Sequence, residues 1–305
     1  MKKWAFIVNP VAGNDFASEY LGVLNQKVSE QGITAEIAMT GKQGDATTLA
    51  EDFATRGFDY VIGVGGDGTM NEIATALLGH PQVVTGLIPA GTGNDFIQIL
   101  GFPDRFSDRD WEIFFRGETI QMDVGTVNGQ PFLNGMGLGF DAEVAARNYR
   151  SPDEVKKGGK GKYLRHILTT LFFYREKRMI VKTLEGEFTA DCFMQTVSIG
   201  RRFAGGFFLT PKAIANDGLL DVCSISRLSL FHRLRVLTMV PKGTHIKDKR
   251  IHYFQTHGLR LSFPVRMPYH RDGELGYGQE FEISLIPKAL TIIYNPEGSH
   301  YFSHD

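Results

Sequence analysis

Gly65-Gly66-Asp67-Gly68-Thr69-Met70-Asn71-Glu72 joins an apolar run, Tyr60 to Val64, to a helical pattern from Met70 to Leu78. A strand that turns through glycines into a helix is the building unit of a parallel sheet. The same punctuation recurs on both sides of it. Asn9-Pro10-Val11-Ala12-Gly13 follows the apolar run Trp4 to Val8; Gly91-Thr92-Gly93-Asn94-Asp95 follows Val83 to Ile88 and leads into a short helix predicted over Asp95 to Leu100. Between these loops, Tyr20, Leu21, Leu24 and Val28 share a helical face that stops at Gly32. Ile33, Ala35, Ile37 and Met39 then alternate as a strand. Asp45 is placed to cap a helix carrying Leu49, Ala50, Phe53 and Ala54, which stops at Gly57. Residues 1–122 therefore read as an α/β domain built on a doubly wound parallel sheet.

The rhythm changes near Met122. Ile120, Met122 and Val124 alternate, and strand-like runs follow at Ile180 to Leu184, Phe193 to Ile199, Leu219 to Ile225, Leu259 to Phe263, Phe281 to Ile286 and Leu290 to Tyr294. Helical patterning is read only at about Tyr163 to Arg175 and Leu230 to Val240. A second, mostly antiparallel, β-rich domain is expected over 123–294, with a tail of about 295–305 returning to the first.

Length and composition agree with two ordinary domains. At 305 residues the chain exceeds what one core usually organises, and 42% hydrophobic with 22% charged residues is globular composition. A net charge of -1 argues against a strongly basic nucleic-acid binder. Cys192 and Cys223 match no metal-ligand spacing and read as buried small hydrophobes in a reducing compartment. The Trp4 to Val8 run is too short for a signal-peptide core, and no stretch approaches the ~20 apolar residues of a membrane span. A cytoplasmic protein is expected, and any lipid would have to be met at a membrane surface.

Three glycine-rich turns at the carboxyl edge of one parallel sheet point to phosphate binding. Glycines let backbone N–H groups approach phosphate oxygens, and each following helix adds a favourable dipole. The hydroxyls of Thr69 and Thr92 suit phosphate or a cap. Asp67 is an acid inside a phosphate loop, which a metal or a base role would explain. The P-loop pattern is absent and no G-x-G-x-x-G dinucleotide fingerprint follows the first strand, so the cradle is of another kind.

GGDGTMNE (65–72) and PAGTGNDFIQIL (89–100) resemble the signature motifs of the diacylglycerol kinase catalytic family. The first motif is shared with sphingosine, ceramide and NAD kinases. The resemblance continues in order through Met122-Asp123-Val124-Gly125, Gly137-Leu138-Gly139-Phe140-Asp141, PKAIANDGLLDV (211–222) and Asp272-Gly273-Glu274, and is strongest to compact bacterial members. It implies an ATP-dependent lipid kinase using Mg2+, with diacylglycerol the leading acceptor. Asn9, Pro10, Val11, Ala12, Gly13, Thr40, Gly65, Gly66, Asp67, Gly68, Thr69, Met70, Asn71 and Thr92 would line the ATP site. Asp272, Glu274 and Asp67 would be catalytic, Asp272 or Glu274 being the base. Asp217, with the Leu220 and Val222 carbonyls, would hold a structural magnesium. Departures occur at Ala12, where many relatives carry serine, at Asn14, where lysine is common, and at Ile97-Gln98, which replaces a frequent Ala-Arg pair.

Lipid capture has candidates in Phe203, Phe207 and Phe208 around Gly205-Gly206, and in the stripe Leu164, Ile167, Leu168, Leu171, Phe172 extended by Phe173 and Tyr174. Such a stripe is more often core than lipid contact. The run Lys156 to Lys162 suits either anionic lipid or a solvated loop. Two further readings stay open: a kinase of another acceptor (phosphatidylglycerol, a sphingoid base or NAD), and a catalytically weak nucleotide or lipid sensor. The expected partner is a lipid presented at the inner face of the membrane; a homodimer is left open.

Overall fold

The computed structural model describes residues 2–13, 20–149 and 165–303. Asn14, the run Lys156 to Lys162, Leu164 and the start of the helix expected from Tyr163 lie outside the described residues. The backbone groups into two compact units. One comprises Met1–Val124, Ile214–Gly218 and Ile286–Asp305; the other comprises Gly125–Ala213 and Leu219–Leu285.

The first unit alternates β1 (Trp4–Val8), α1 (Leu21–Glu30), β2 (Ala35–Met39), α2 (Asp45–Thr55), β3 (Tyr60–Gly65), α3 (Asp67–Leu77), β4 (Val84–Pro89) and α4 (Asp108–Arg116). β2, β1, β3 and β4 lie side by side and parallel, with Val8 opposite both Met39 and Val64, and Gly65 opposite Pro89. Successive strand residues point to opposite faces, yet every residue of β1 and β3 is buried. Both faces of the sheet centre are therefore covered. Side chains such as Phe6, Ile7 and Ile62 gain about 1.5–3 kcal/mol each from that burial.

Two details depart from the sequence reading. Asp45 is the first residue of α2 and does not cap it: Gly44 is the N-cap, and the Asp45 carboxylate accepts from the Gly41 and Lys42 amides (2.8 and 3.0 Å). α4 was not expected, although Ser107 and Asp110 form a reciprocal capping box at its start and Gly117 (φ 70°) ends it.

The second unit contains the end of β5 (Thr119–Val127), then β6 (Gln130–Phe132), β7 (Gly135–Gly139), α5 (Phe140–Tyr149), α6 (165–173), β8 (Lys177–Lys182), β9 (Glu187–Ser198), β10 (Leu220–Ser226), α7 (Leu230–Met239), β11 (Ile251–Thr256), β12 (Gly258–Arg271) and the start of β13 (Glu274–Ile293). β11, β10, β9, β7, β12 and β13 follow one another in space, and the registered pairs among them are antiparallel. Phe140 of α5, Ile167 and Leu171 of α6 and Val236 of α7 share one cluster with Phe193, Cys223, Ile225 and Ile251 from the strands. Phe140 and Phe193 stack with ring centroids 5.1 Å apart. Both cysteines are free and buried, and burial pushes the Cys223 thiol up to about 12. They behave as hydrophobes.

The runs Phe281 to Ile286 and Leu290 to Tyr294 belong to the single strand β13, interrupted by Lys288 at φ 51°. That left-handed residue breaks the alternation and splits the sequence signal. The apolar stripe on α6 is also divided: Ile167 and Leu171 are core, while Leu168, Phe172 and Phe173 are exposed. Phe203 and Phe207 bond to each other through both backbone pairs (2.9 Å each) and pack on the same core, closing the glycine loop on itself.

Candidate active site

The register of β3 on β4 decides how the glycine loops meet. Because Gly65 lies opposite Pro89, the turns that follow emerge side by side, and the Ala90 and Gly91 amides both donate to the Gly65 carbonyl (2.7 and 3.0 Å). The approach is close enough to require glycine. A Cβ on Gly91 would lie 2.5 Å from the Gly66 Cα and 2.7 Å from Asn94 Oδ1.

Side chains tie the three loops in sequence. Asn9 Nδ2 donates to Thr69 Oγ1 (3.2 Å), joining the first loop to the second. The Asp67 carboxylate accepts from the Asp95 and Phe96 amides (3.0 Å each), joining the second to the third. This bears on the acid in the phosphate loop: its oxygens serve the backbone of a neighbouring loop. Thr40 follows β2 and donates its amide to Val8 (2.9 Å), beside the first loop. Pro10, Ala12 and Gly13 are half-buried, while Val11, Gly68 and Thr92 are exposed along the rim. Met70 is different. It is fully buried on the core side of α3 and its amide bonds Gly66, so its side chain does not line the loops. Asn71 is also buried.

Three residues at this edge have no role in the sequence reading, although two of them lie within its motifs. Glu72 accepts from the Gly44 and Ala46 amides (3.0 and 3.2 Å) and thereby caps α2 from α3. The Arg105 guanidinium reaches the carbonyls of Pro89 and Gly91 (3.4 and 3.3 Å) and braces the third loop. Asn94, at φ 45°, donates to the Gly91 carbonyl (3.0 Å), and its buried Oδ1 has no hydrogen-bond partner. An orphan acceptor beside glycines too close to carry a Cβ suits a ligand with donors, such as a hydrated cation or a sugar hydroxyl. Gln98 bonds Asp104 and Ile97 is buried, so neither of these departures faces the loops as a free cation would.

Asp123, quoted above only as part of a motif, is a buried carboxylate. It accepts from the Gly218 and Lys288 amides (2.8 and 2.7 Å), and its own amide donates to Ala215 (2.9 Å). It thus fastens the 214–218 segment and the last stretch of β13 within the first unit. Asp217 is half-buried in that segment. In the second unit, Leu220 opens β10 beside β11 alone, whereas Val222 is flanked by Val197 of β9 and Phe254 of β11. Asp221 is fully buried, accepting from Tyr253 (2.5 Å) and Gln255 (3.2 Å), and burial raises the Tyr253 phenol. Among the described residues, no group of three or more His, Cys, Asp or Glu side chains is arranged to hold a metal ion. The 217–222 set has one carboxylate and two carbonyls, the hard oxygen chemistry of Mg2+.

Asp272 and Gly273, at φ 45° and 88°, form the two-residue turn between β12 and β13, in the manner of a type I′ hairpin. The turn is pinned to the start of β7. Asp272 accepts from the amides of Leu133 (2.6 Å), Asn134 (3.0 Å) and Gly135 (2.9 Å) and donates its own amide to Gly135 (3.0 Å). Glu274 has another environment: half-exposed, it accepts from Arg271 (2.6 Å), which also donates to the Pro131 carbonyl (2.7 Å). Two residues before Asp272, His270 meets Asp141 (3.1 Å) above Gly137, where a Cβ would sit 2.1 Å from the Asp141 carboxylate. The Asp272 turn, the Arg271–Glu274 pair and the His270–Asp141 pair all lie within the second unit.

With this geometry in view, comparisons identify the relatives. Residues 3–127 match the model of the diacylglycerol kinase catalytic domain, and residues 135–294 that of the YegS C-terminal NAD kinase beta sandwich-like domain. The chain is 31% identical to the diacylglycerol kinase of Bacillus subtilis, covering 90% of this chain and 91% of that one. It is 30% identical to the "Probable lipid kinase YegS" of Salmonella gallinarum, over 88% and 89%. A crystal structure described as a diacylglycerol kinase from Bacillus anthracis superposes with a TM-score of 0.76 at 21% identity, covering 97% of this chain and 98% of that one. The last likeness concerns the two-domain α/β fold.

Proposed function

The chain belongs to the diacylglycerol kinase family of lipid kinases, and on that premise we propose that it transfers the γ-phosphoryl group of Mg-ATP to the hydroxyl of diacylglycerol, giving phosphatidic acid. The observation that carries the reading is the chain of three loops linked by Asn9–Thr69 and by Asp67 to the 95–96 amides, with Gly66 and Gly91 in backbone contact. That arrangement presents backbone N–H groups and the positive end of α3 along one edge, as a triphosphate requires.

The residues of 9–13, Thr40, 65–69, Asn71 and Thr92 bind and orient the phosphates, with Asp67 setting the position of the third loop. Magnesium bound with the nucleotide neutralises charge on the transferring group. The Asp272–Glu274 pair takes the proton of the acceptor hydroxyl: three amides orient Asp272, and Arg271 orients Glu274. Asp217 and the carbonyls of Leu220 and Val222 would hold a structural Mg2+. Helices cover both faces of the parallel sheet, a doubly wound arrangement supported by the complete burial of β1 and β3. The enzyme works in the cytoplasm and meets its lipid at the inner face of the membrane; no helix among the described residues is long and apolar enough to cross a membrane.

The test is a radiolabelled ATP assay with diacylglycerol, phosphatidylglycerol, a sphingoid base and NAD offered in separate arms. Labelled phosphatidic acid is the expected product. Label in NADP alone, or in no acceptor, overturns the assignment.

A further inference from the structure

We propose that the outward faces of α6 and α7 together form a docking surface for an anionic lipid bilayer. The surface deepens the lipid-kinase reading and rests on it for its biological use, but its binding can be measured without catalysis.

A helix lying on a protein core normally turns its polar residues to solvent. These two helices also turn large apolar residues to solvent. On α6, Ile167 and Leu171 face the core, yet Leu168 is 38%, Phe172 51% and Phe173 76% exposed. On α7, Arg233 and Val236 are buried, while Leu230 is 41%, Phe231 74% and Leu234 38% exposed. Inside the fold sits an arginine, and outside sit the phenylalanines.

The buried arginine explains how the two faces become one. Arg233 donates to the Leu171 carbonyl near the end of α6 (2.6 Å), to the Leu228 carbonyl just before α7 (3.2 Å) and to Glu176 (2.6 Å), and it lies 4.8 Å from the Phe193 ring centroid. Those bonds fix the last turn of α6 against the first turn of α7, so Phe172 and Phe173 are held beside the helix that carries Leu230 and Phe231.

Charge identifies the occupant. Exposed Arg165, Arg175, Lys177, Arg227 and Arg235 flank the apolar residues. Within residues 165–182 and 226–242 the one carboxylate is Glu176, which the buried Arg233 takes; from outside them Asp248, bound by Arg250, also faces Arg235. The whole chain carries -1, so this is a local concentration of positive charge. Aromatic and leucine side chains surrounded by arginine and lysine match a membrane interface, where the apolar groups enter the acyl boundary and the cations meet anionic headgroups. A second copy docked by two-fold symmetry would set the same basic rim against itself, which is unfavourable.

The experiment is co-sedimentation of the full chain, without nucleotide, with phosphatidylcholine vesicles containing about one third phosphatidylglycerol. Phe172→Ser, Phe173→Ser and Phe231→Ser combined are expected to lower partitioning at least ~tenfold. Arg175→Glu with Arg235→Glu is expected to lower it ~tenfold on the mixed vesicles and to leave binding to pure phosphatidylcholine unchanged. The charge pair lies on the surface, so it keeps the test available if the serine variant misfolds. Phosphorylation of a dispersed short-chain diacylglycerol should keep its kcat in the Arg175→Glu, Arg235→Glu variant. Unchanged partitioning in the folded variants, or no binding by the parent protein, overturns the proposal. So does conversion of a dimer to monomers with vesicle binding intact. Loss of vesicle binding in the variants of a protein that phosphorylates no lipid would uphold the surface while removing the acceptor assigned above.

Discussion

Each unit fixes a carboxylate by the same device, but the two are assembled over different chain distances. In the first unit Asp67 accepts amides from residues 95 and 96, about one βα repeat away. In the second, Asp272 accepts amides from residues 133 to 135, well over a hundred residues upstream. A carboxylate held by backbone N–H groups cannot turn freely, so each device fixes an acid against a loop. The first device follows from local strand–turn–helix order, whereas the second exists only once β7 and β12 are paired, with Arg271 opposite Met136.

The largest expected effect tests whether the second device is chemical or merely structural. Asp272→Asn should lower kcat by ~10²–10⁴, the usual range for loss of a general base, and also lower thermal stability, because both carboxylate oxygens accept backbone amides and the new NH2 would face a donor. Glu274→Gln measured alongside it decides which carboxylate is the base; the smaller loss identifies the residue that only orients. If Asp272→Asn keeps full activity, the turn is a hairpin and nothing more.

Next in size is the brace beneath α6 and α7. Arg233→Ala leaves Glu176 buried without its cation and should cost about 3–5 kcal/mol in denaturant unfolding. The Arg233–Glu176 pair is largely buried, whereas long-range pairs of the first unit such as Arg116–Glu297 are exposed, so a loss below about 1 kcal/mol would erase that contrast.

A smaller effect probes the first unit. Gly91→Ala drives a methyl into the Gly66 backbone and should cost about 1–3 kcal/mol while raising the KM for ATP more than it lowers kcat. Equal effects on both constants would mean that the loop contact does not serve nucleotide binding.

The smallest concerns pH. Burial lowers the His245 pKa; its Nε2 meets the Leu209 carbonyl (3.2 Å), and its Nδ1 has no hydrogen-bond partner. The folded state therefore keeps this imidazole neutral, while the unfolded chain takes up a proton near pH ~6.5. Unfolding binds more protons below that pH, so stability should fall as pH drops, by up to about 1.4 kcal/mol per unit, and His245→Leu should flatten that slope. An unchanged slope in the variant assigns the acid sensitivity to other groups.

How far the site is legible follows from the same contrast. The loops at 9–13, 65–69 and 91–95 stand out because a glycine turn between a strand and a helix has a local signature. Some local signals also went unused: Ser107 and Asp110 mark the start of α4, and Gly117 marks its end. Met70 was grouped with its loop neighbours although its place in the α3 pattern is apolar and core-facing. Arg105, His270 and Asp141 have no local signature. Each is an ordinary polar residue whose partner lies elsewhere in the chain.

By itself, the order of residues determined the parallel first unit, the change to antiparallel strands near residue 122 and the three glycine loops, because those features arise from side-chain periodicity and from glycines between adjacent elements. Tertiary structure alone decided that Asp67 bonds a neighbouring loop, that β13 ends in the first unit, and that Phe172 and Phe231 stay outside while Arg233 goes inside. The physical reason is that hydrogen-bond partners and burial depend on strand register and helix packing, which couple residues far apart and leave no mark on either neighbourhood.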